Sequence, residues 1–318
     1  MKKRFWRRTQ YLLLSLLGCL LVLLAWGLVE PYVLARSVVA AEIPALSRLW
    51  QGKRIAVISD FQFGMWMANA STVERAIDQI IQDRPAAALI AGDFVYKPGE
   101  NLTPELDRVI ELVRPLTAAQ IPTYAVLGNH DYDVKTLTQA SAAGQQRANQ
   151  IQQALESIGI QVLQNEAIVL PNADQTLGNE RLYLVGIGAY LPKQSQPLAA
   201  IAQVPNNAAR FVLMHNPASF AELPAGTAPI AVAGHTHGGQ IRIPFLPQWS
   251  WMTFVESKPS WSWLSQIKGD VVRVSGWIPG YGNAGNRLYI NRGIGFSYLP
   301  IRFNCSPELT IFTLQAKT

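Results

Sequence analysis

The chain has 318 residues, 49% apolar and 15% charged, a balance that suits a packed core and excludes a disordered protein. Its formal net charge is +6, but five of its 27 cations lie in the first eight residues, so the remainder sets 22 cations against 21 carboxylates. That near-neutrality argues against DNA or RNA as a partner, and two cysteines, Cys19 and Cys305, are too few for a disulfide framework.

The first element is apolar. Tyr11 to Val29 carries no charge, and at about 1.5 Å per residue a helix of that length spans a hydrocarbon core of about 30 Å. Trp6, Tyr11, Trp26 and Tyr32 edge the run, as interfacial aromatics do. Lys2, Lys3, Arg4, Arg7 and Arg8 precede it, whereas Glu30, Arg36, Glu42 and Arg48 alternate in sign after it. The positive-inside rule then predicts a cytoplasmic basic tail (1–10), a single transmembrane anchor (11–29) and an extracytoplasmic remainder. Cleavage is the rival: Val38-Val39-Ala40 offers small residues for a signal peptidase. Leu16-Leu17-Gly18-Cys19 loosely resembles a lipoprotein box, but the apolar run continues past Cys19. Arg7-Arg8 is followed by Thr-Gln, a poor twin-arginine match.

Residues 30–52 have no clear period and read as a stalk. From 53 to 318 a single α/β domain is expected. Short apolar runs at 54–59, 86–91, 123–127, 182–187, 210–214 and 229–233 read as buried strands. Between them, Ser71-Thr72-Val73-Glu74 reads as a capping box opening a helix that carries Ile77, Ile80 and Ile81. Thr103-Pro104 opens a second helix, with Leu106, Val109, Ile110 and Val113 on one face, and a third runs through Ala148, Ile151, Leu155 and Ile158.

In α/β folds chemistry gathers beyond the carboxyl ends of strands. Here those positions hold Asp60 and Gln62, then Gly92-Asp93, Gly128-Asn129-His130-Asp131, His215-Asn216, and Gly234-His235-Thr236-His237. A single Asp or Asn there is commonly a turn residue, and a single histidine commonly a core residue. Five strand ends carrying ligand-type residues, with all four histidines of the chain among them, point instead to a shared site. Imidazole, carboxylate and amide oxygen together suit Zn, Mn or Fe better than Ca, and there are more of them than one ion needs, so two divalent metal ions are expected.

The blocks G-D, G-N-H-D and G-H-T-H, in this order and strand context, resemble the calcineurin-like metallophosphoesterases, and the resemblance covers residues 53–318. Asn291-Arg292-Gly293-Ile294-Gly295 and the segment Pro300 to Glu308 are similar to the membrane-anchored bacterial branch of that superfamily. The resemblance implies a four-layer αββα sandwich and a binuclear centre that hydrolyses a phosphoester or pyrophosphate through a hydroxide shared by the metals. Asp93 would bridge, Asp60 and His237 would complete one site, Asn129, His215 and His235 the other, and His130 would donate to the phosphoryl oxygen or leaving group. One position departs from the pattern. Where the family carries histidine two residues after the first aspartate, this chain has Gln62, whose amide oxygen is a weaker ligand. That site is expected to bind its ion weakly and to favour Mn. The block after Asp93, Phe94-Val95-Tyr96-Lys97, also lacks the continuation of the Ser/Thr protein phosphatases.

An aromatic insertion at about 245–280, with Trp249, Trp251, Phe254, Trp261, Trp263 and Trp277, reads either as a folded cap or as a lip dipping into a membrane. Phe61, Phe63, Met65, Trp66 and Met67 read as apolar surface beside Asp60. Together with the anchor these favour a lipid-linked phosphate substrate, such as UDP-diacylglucosamine or a phospholipid. A membrane-tethered binding scaffold with a degenerate metal site, supported by Gln62 alone, and a phosphodiesterase for soluble substrates are the alternatives. No obligate protein partner is evident.

Overall fold

The computed structural model describes residues 2–65, 67, 69–96, 102–171, 180–252 and 274–317. Trp66, Lys97, Phe254, Trp261 and Trp263, named above, lie outside them. The first helix, α1 (Lys2–Val29), is exposed along most of its length, and residues 4–32 have a mean hydropathy of 2.7 at best. Among the described residues it is the one helix long and apolar enough to cross a membrane.

All six expected strands form: β2 (Arg54–Ile58), β3 (Ala87–Ile90), β4 (Thr123–Ala125), β7 (Leu182–Gly186), β8 (Ala209–Leu213) and β9 (Ala231–Ala233). Helices α2 (Ala70–Asp83), α3 (Thr103–Ala118) and α4 (Ala142–Ser157) lie where the helical periods place them. The capping box does not form. Helix α2 starts at Ala70 with Asn69 as its cap, and tertiary contacts claim the polar groups there. The Asn69 amide donates to the carbonyls of Pro31 (2.7 Å) and Ile294 (2.9 Å), and the Thr72 hydroxyl donates to Pro31 (3.2 Å).

The segment read as a stalk is structured. Residues Ala35–Ile43 form β1, which runs parallel to the C-terminal strand β14 (Glu308–Ala316) over nine residue pairs. Its side chains alternate between solvent and protein, with Ala41 and Ile43 fully buried. The first sheet also takes β5 (Gln161–Val162) and runs in the order β1-β14-β2-β3-β4-β5. The second adds β6 (Glu166–Val169), β12 (Gly276–Ile278) and β13 (Leu288–Ile290), in the order β12-β13-β9-β8-β7-β6. A short hairpin pairs β10 (Arg242–Ile243) with β11 (Leu246–Ser250).

Strand alternation sorts the apolar residues into layers. Ile55, Val57, Ala87 and Leu89 of the first sheet share one buried cluster with Leu182, Leu184, Phe211, Leu213 and Val232 of the second. Their alternates Ala56, Ile58, Ala88 and Ile90 pack with Val73, Ile77, Val109, Val113 and Ile151 of α2, α3 and α4. Within this core Trp277 stacks edge-on against Tyr289 and Phe312 and lies under the Arg287 guanidinium, so this tryptophan of the aromatic insertion is a packing residue.

Candidate metal centre

The loops after β2, β3, β4, β8 and β9 bring the sequence-expected residues together, and backbone strain marks where. Asp60 (φ 54°), Gln62 (φ 56°), Asp93 (φ 58°), His235 (φ 71°) and His237 (φ 48°) all occupy the left-handed region, which costs a non-glycine residue on the order of 1 kcal/mol or more. Five such residues in one cluster are held there by the surrounding fold. Alternation at the first loop shows the effect: Asp60 and Gln62 turn into the site, while Phe61 and Phe63 turn into the core. Phe61 packs edge-on against Phe63 and Phe94, and Met65 packs with Tyr96 and Phe296, so these three are core residues and not the apolar surface expected from sequence. Gly128 is required beside Asp93, because a Cβ there would collide with the carboxylate.

One group of ligand atoms is tight. Asp93, His215 and His235 are buried, and their ligand atoms lie within 4.8 Å of one another. The His215 Nδ1–H donates to the Ala91 carbonyl (2.7 Å), leaving Nε2 to face Asp93 Oδ2 and Asn129 Oδ1, both at 3.2 Å. Asn129 is oriented in turn, because its amino group donates to the Val134 carbonyl (2.6 Å). Beside this group, His237 Nε2 lies 3.7 Å from Asp60 Oδ1, and the Gln62 amide sits between His237 and Asp93. Its nitrogen donates to Asp93 Oδ2 (2.8 Å), and its oxygen is buried without a hydrogen-bond partner. Both oxygens of Asp60 face the backbone N–H of His235 (3.1 and 3.2 Å), and the Asp60 carbonyl accepts from Gly295 N (2.7 Å).

Burial and opposite charge set the electrostatics of the cluster. Burial works against a charged His215, yet the Asp93 carboxylate outweighs it and pushes the imidazole up to about 9. Burial likewise opposes ionisation of Asp93, but the charge on His215 holds it well below the usual carboxylate range. Burial pushes Asp60 up to about 6 against the pull of His215, and drives His235 down to about 3 and His237 well down. Buried carboxylates, desolvated imidazoles and an orphaned amide oxygen converging from five loops fit a divalent cation.

His130 is placed differently. Its backbone N–H donates to Asp93 Oδ1 (2.9 Å), but its ring stacks on Tyr96 with centroids 4.5 Å apart, and Nδ1 has no hydrogen-bond partner. It lines a small pocket with Asp93, Asn129, His235, His237, Lys135 and Ser297. Lys135 is a site residue that the sequence did not single out; its ammonium lies 5.3 Å from the Tyr96 ring centroid, at the rim.

Asp131 was visible in its motif but not in its role. Its carboxylate accepts from the backbone N–H of Gly128 (2.8 Å), Phe94 (2.9 Å), Asp93 (3.0 Å) and Val95 (3.3 Å), tying two site loops together. Burial pushes it up to about 7, with the charge of Asp93 adding to the effect and those amides opposing it. Asp131→Ala should strand these donors and lower stability by about 3 kcal/mol, measured by denaturant unfolding of the detergent-solubilised protein. An unchanged midpoint would mean that water satisfies the amides.

Strained strand-end loops that gather buried carboxylates, imidazoles and a carboxamide beside two sheets make a candidate metal-binding site at the strand ends, where α/β folds place their chemistry. The known proteins agree. The calcineurin-like phosphoesterase profile matches residues 53–300, and the chain belongs to that family. It is 29% identical over 262 residues to phosphodiesterase YaeI of Escherichia coli strain K12, covering 82% of each chain. It is 24% identical over 312 residues to the UDP-2,3-diacylglucosamine pyrophosphatase LpxG of Chlamydia trachomatis serovar D, covering 89% of each. It is 21% identical over 290 residues to the uncharacterized metallophosphoesterase YkuE of Bacillus subtilis strain 168, covering 90% of this chain and 87% of that one.

Proposed function

We propose that this protein is a membrane-anchored, metal-dependent phosphoesterase acting on a lipid-linked phosphodiester or pyrophosphate such as UDP-diacylglucosamine. The convergence of Asp93, His215 and His235 within 4.8 Å, beside Asp60 and His237, carries the reading. Asp93, Asn129, His215 and His235 would hold one ion, and Asp60, Gln62, Asp93 and His237 a second. Two such cations, when bound, would lower the pKa of a water and neutralise phosphoryl oxygens as charge builds on them. His130 is placed to donate a proton or hydrogen bond from the pocket wall, and Lys135 adds a cation for a further phosphate oxygen. The names of the relatives, a phosphodiesterase and a UDP-2,3-diacylglucosamine pyrophosphatase, favour this bond class.

An uncleaved anchor is supported by what a cut would remove. Cleavage after Ala40 would sever β1 within its pairing to β14. It would also remove Glu30, whose buried carboxylate accepts from Cys305 N (2.6 Å), Asn304 N (2.8 Å), Ser306 Oγ (3.1 Å) and Trp26 Nε1 (2.8 Å). The charge asymmetry around α1 favours a cytoplasmic N-terminus. Protease added to intact spheroplasts should then digest residues beyond 31, and digestion only after lysis would reverse the orientation.

The purified full-length protein, stripped with a chelator, should lose hydrolysis of bis(p-nitrophenyl) phosphate and regain it on addition of Mn, Fe or Zn. No hydrolysis with any of these ions would leave the binding-scaffold reading, which the Gln62–Asp93 hydrogen bond favours.

A further inference from the structure

The apolar run of α1 meets the domain at its last turn. Gly27, two residues before the end of that run, lies so close to the loop after β13 that a Cβ there would come within 2.7 Å of Ile301. Its carbonyl accepts the Arg302 backbone N–H at 3.1 Å. Two residues correspond to about 3 Å of helix, so the loop meets α1 at the level of the bilayer boundary if α1 spans the membrane. The junction is rigidly held. Glu30 accepts from three consecutive residues, 304 to 306, of the same loop, and Pro31 accepts from Asn69 and Thr72.

The same loop forms one wall of the pocket. Ser297 and Tyr298 line it, and Gln240 stitches this wall to the β10–β11 hairpin: its side chain accepts from Ser297 N and donates to the Leu299 carbonyl, both at 2.8 Å. Arg242 N then donates to the Phe303 carbonyl at 2.9 Å. Along this stitched edge apolar side chains face outward. Phe245 at the hairpin tip is 100% exposed, and Leu246, Trp249, Tyr298 and Leu299 are each about two-fifths exposed. Phe245 (φ 66°) and Tyr298 (φ 61°) are held in the left-handed region, an outlying conformation for bulky side chains. A soluble surface gains nothing from strained, outward-facing aromatics, whereas a lipid interface favours them.

We infer that this rim is a second membrane contact. It lies in the same interface as the end of α1, so the pocket mouth opens onto the headgroup layer and a phosphoester reaches the metal ligands while its acyl chains stay in the leaflet. The inference rests on the anchored, lipid-linked reading above and adds the face, the depth and the route of entry. Continuity with α1 fixes the occupant as the bilayer in which that helix sits.

The test uses the full chain in vesicles of phosphatidylethanolamine and phosphatidylglycerol, with Cys19→Ser removing the exposed thiol. Spin labels are placed one at a time at Phe245→Cys, Leu299→Cys, Leu16→Cys within α1, and Leu198→Cys, which is exposed on the short helix α5 (Pro197–Ile201). Collision with oxygen is compared with collision with a polar nickel chelate. Labels at 245 and 299 should favour oxygen, as at position 16, while position 198 favours nickel. Labels at 245 and 299 as aqueous as 198, with position 16 in lipid, would overturn the rim and leave the anchor standing. An aqueous label at position 16 would remove the anchor and the rim together. A lipid-immersed rim on a protein that cleaves only soluble esters would retain the membrane contact and overturn the route of entry.

Discussion

Replacing His130 with alanine should lower turnover of a phosphodiester by about 10²–10³ while the protein keeps its metals. The geometry separates this histidine from the other three. His215 and His235 converge with Asp93, and His237 approaches Asp60, whereas the His130 ring stacks on Tyr96 and faces the pocket. Burial holds its basicity below that of an ordinary imidazole, so it enters the reaction largely neutral, as an N–H donor. The measurement pairs kcat on bis(p-nitrophenyl) phosphate with metal content per chain. Loss of an ion in His130→Ala would put the ring among the ligands, and unchanged kcat would remove it from the chemistry. His130→Gln, which keeps a donor near the same place, should recover part of the rate.

How much of this was legible in the sequence depends on the range of the interactions involved. The six strands declared themselves because each is a continuous apolar run flanked by polar punctuation, the pattern of a strand buried on both faces. The candidate ligand positions are read from those strand ends. Strand β1 was not legible: it sits at a sheet edge, alternates Arg36-Ser37-Val38-Val39 without a strong period, and pairs with β14 about 270 residues away. Phe61 and Phe63 read as surface in the sequence but are buried, because the left-handed backbone at Asp60 and Gln62 redirects alternate side chains and residue type does not reveal it. The role of Asp131 and the place of Lys135 were not legible, for opposite reasons. The first acts on backbone amides, which every sequence has, and the second is a lysine among many until the fold brings it to the pocket.

Gln62 sets the second large effect. Only the amino end of an amide can face a carboxylate, so its nitrogen points at Asp93 and its oxygen is left buried and unpaired. For an ion to lie between Asp93 and His237, the amide must give up that 2.8 Å bond and turn its oxygen inward. The ion would then gain a neutral oxygen ligand where an imidazole would be stronger. The two sites should therefore differ: the one built on Asn129, His215 and His235 should keep its ion through purification, and the one built on Asp60 and His237 should lose it. Activity of the isolated protein should rise when Mn is added. Gln62→His removes the competing amide and supplies an imidazole, so the second ion should bind at least about tenfold more tightly. Metal content after gel filtration, followed by Mn titration, reads this directly. Two equally tight ions in the natural protein would show that the Gln62 amide turns at little cost, and that the substitution is no handicap to a binuclear centre. One ion per chain in both proteins, with full activity, would instead mean that the Asp93–His215–His235 site suffices for hydrolysis and that Gln62 serves the reaction through its hydrogen bond to Asp93.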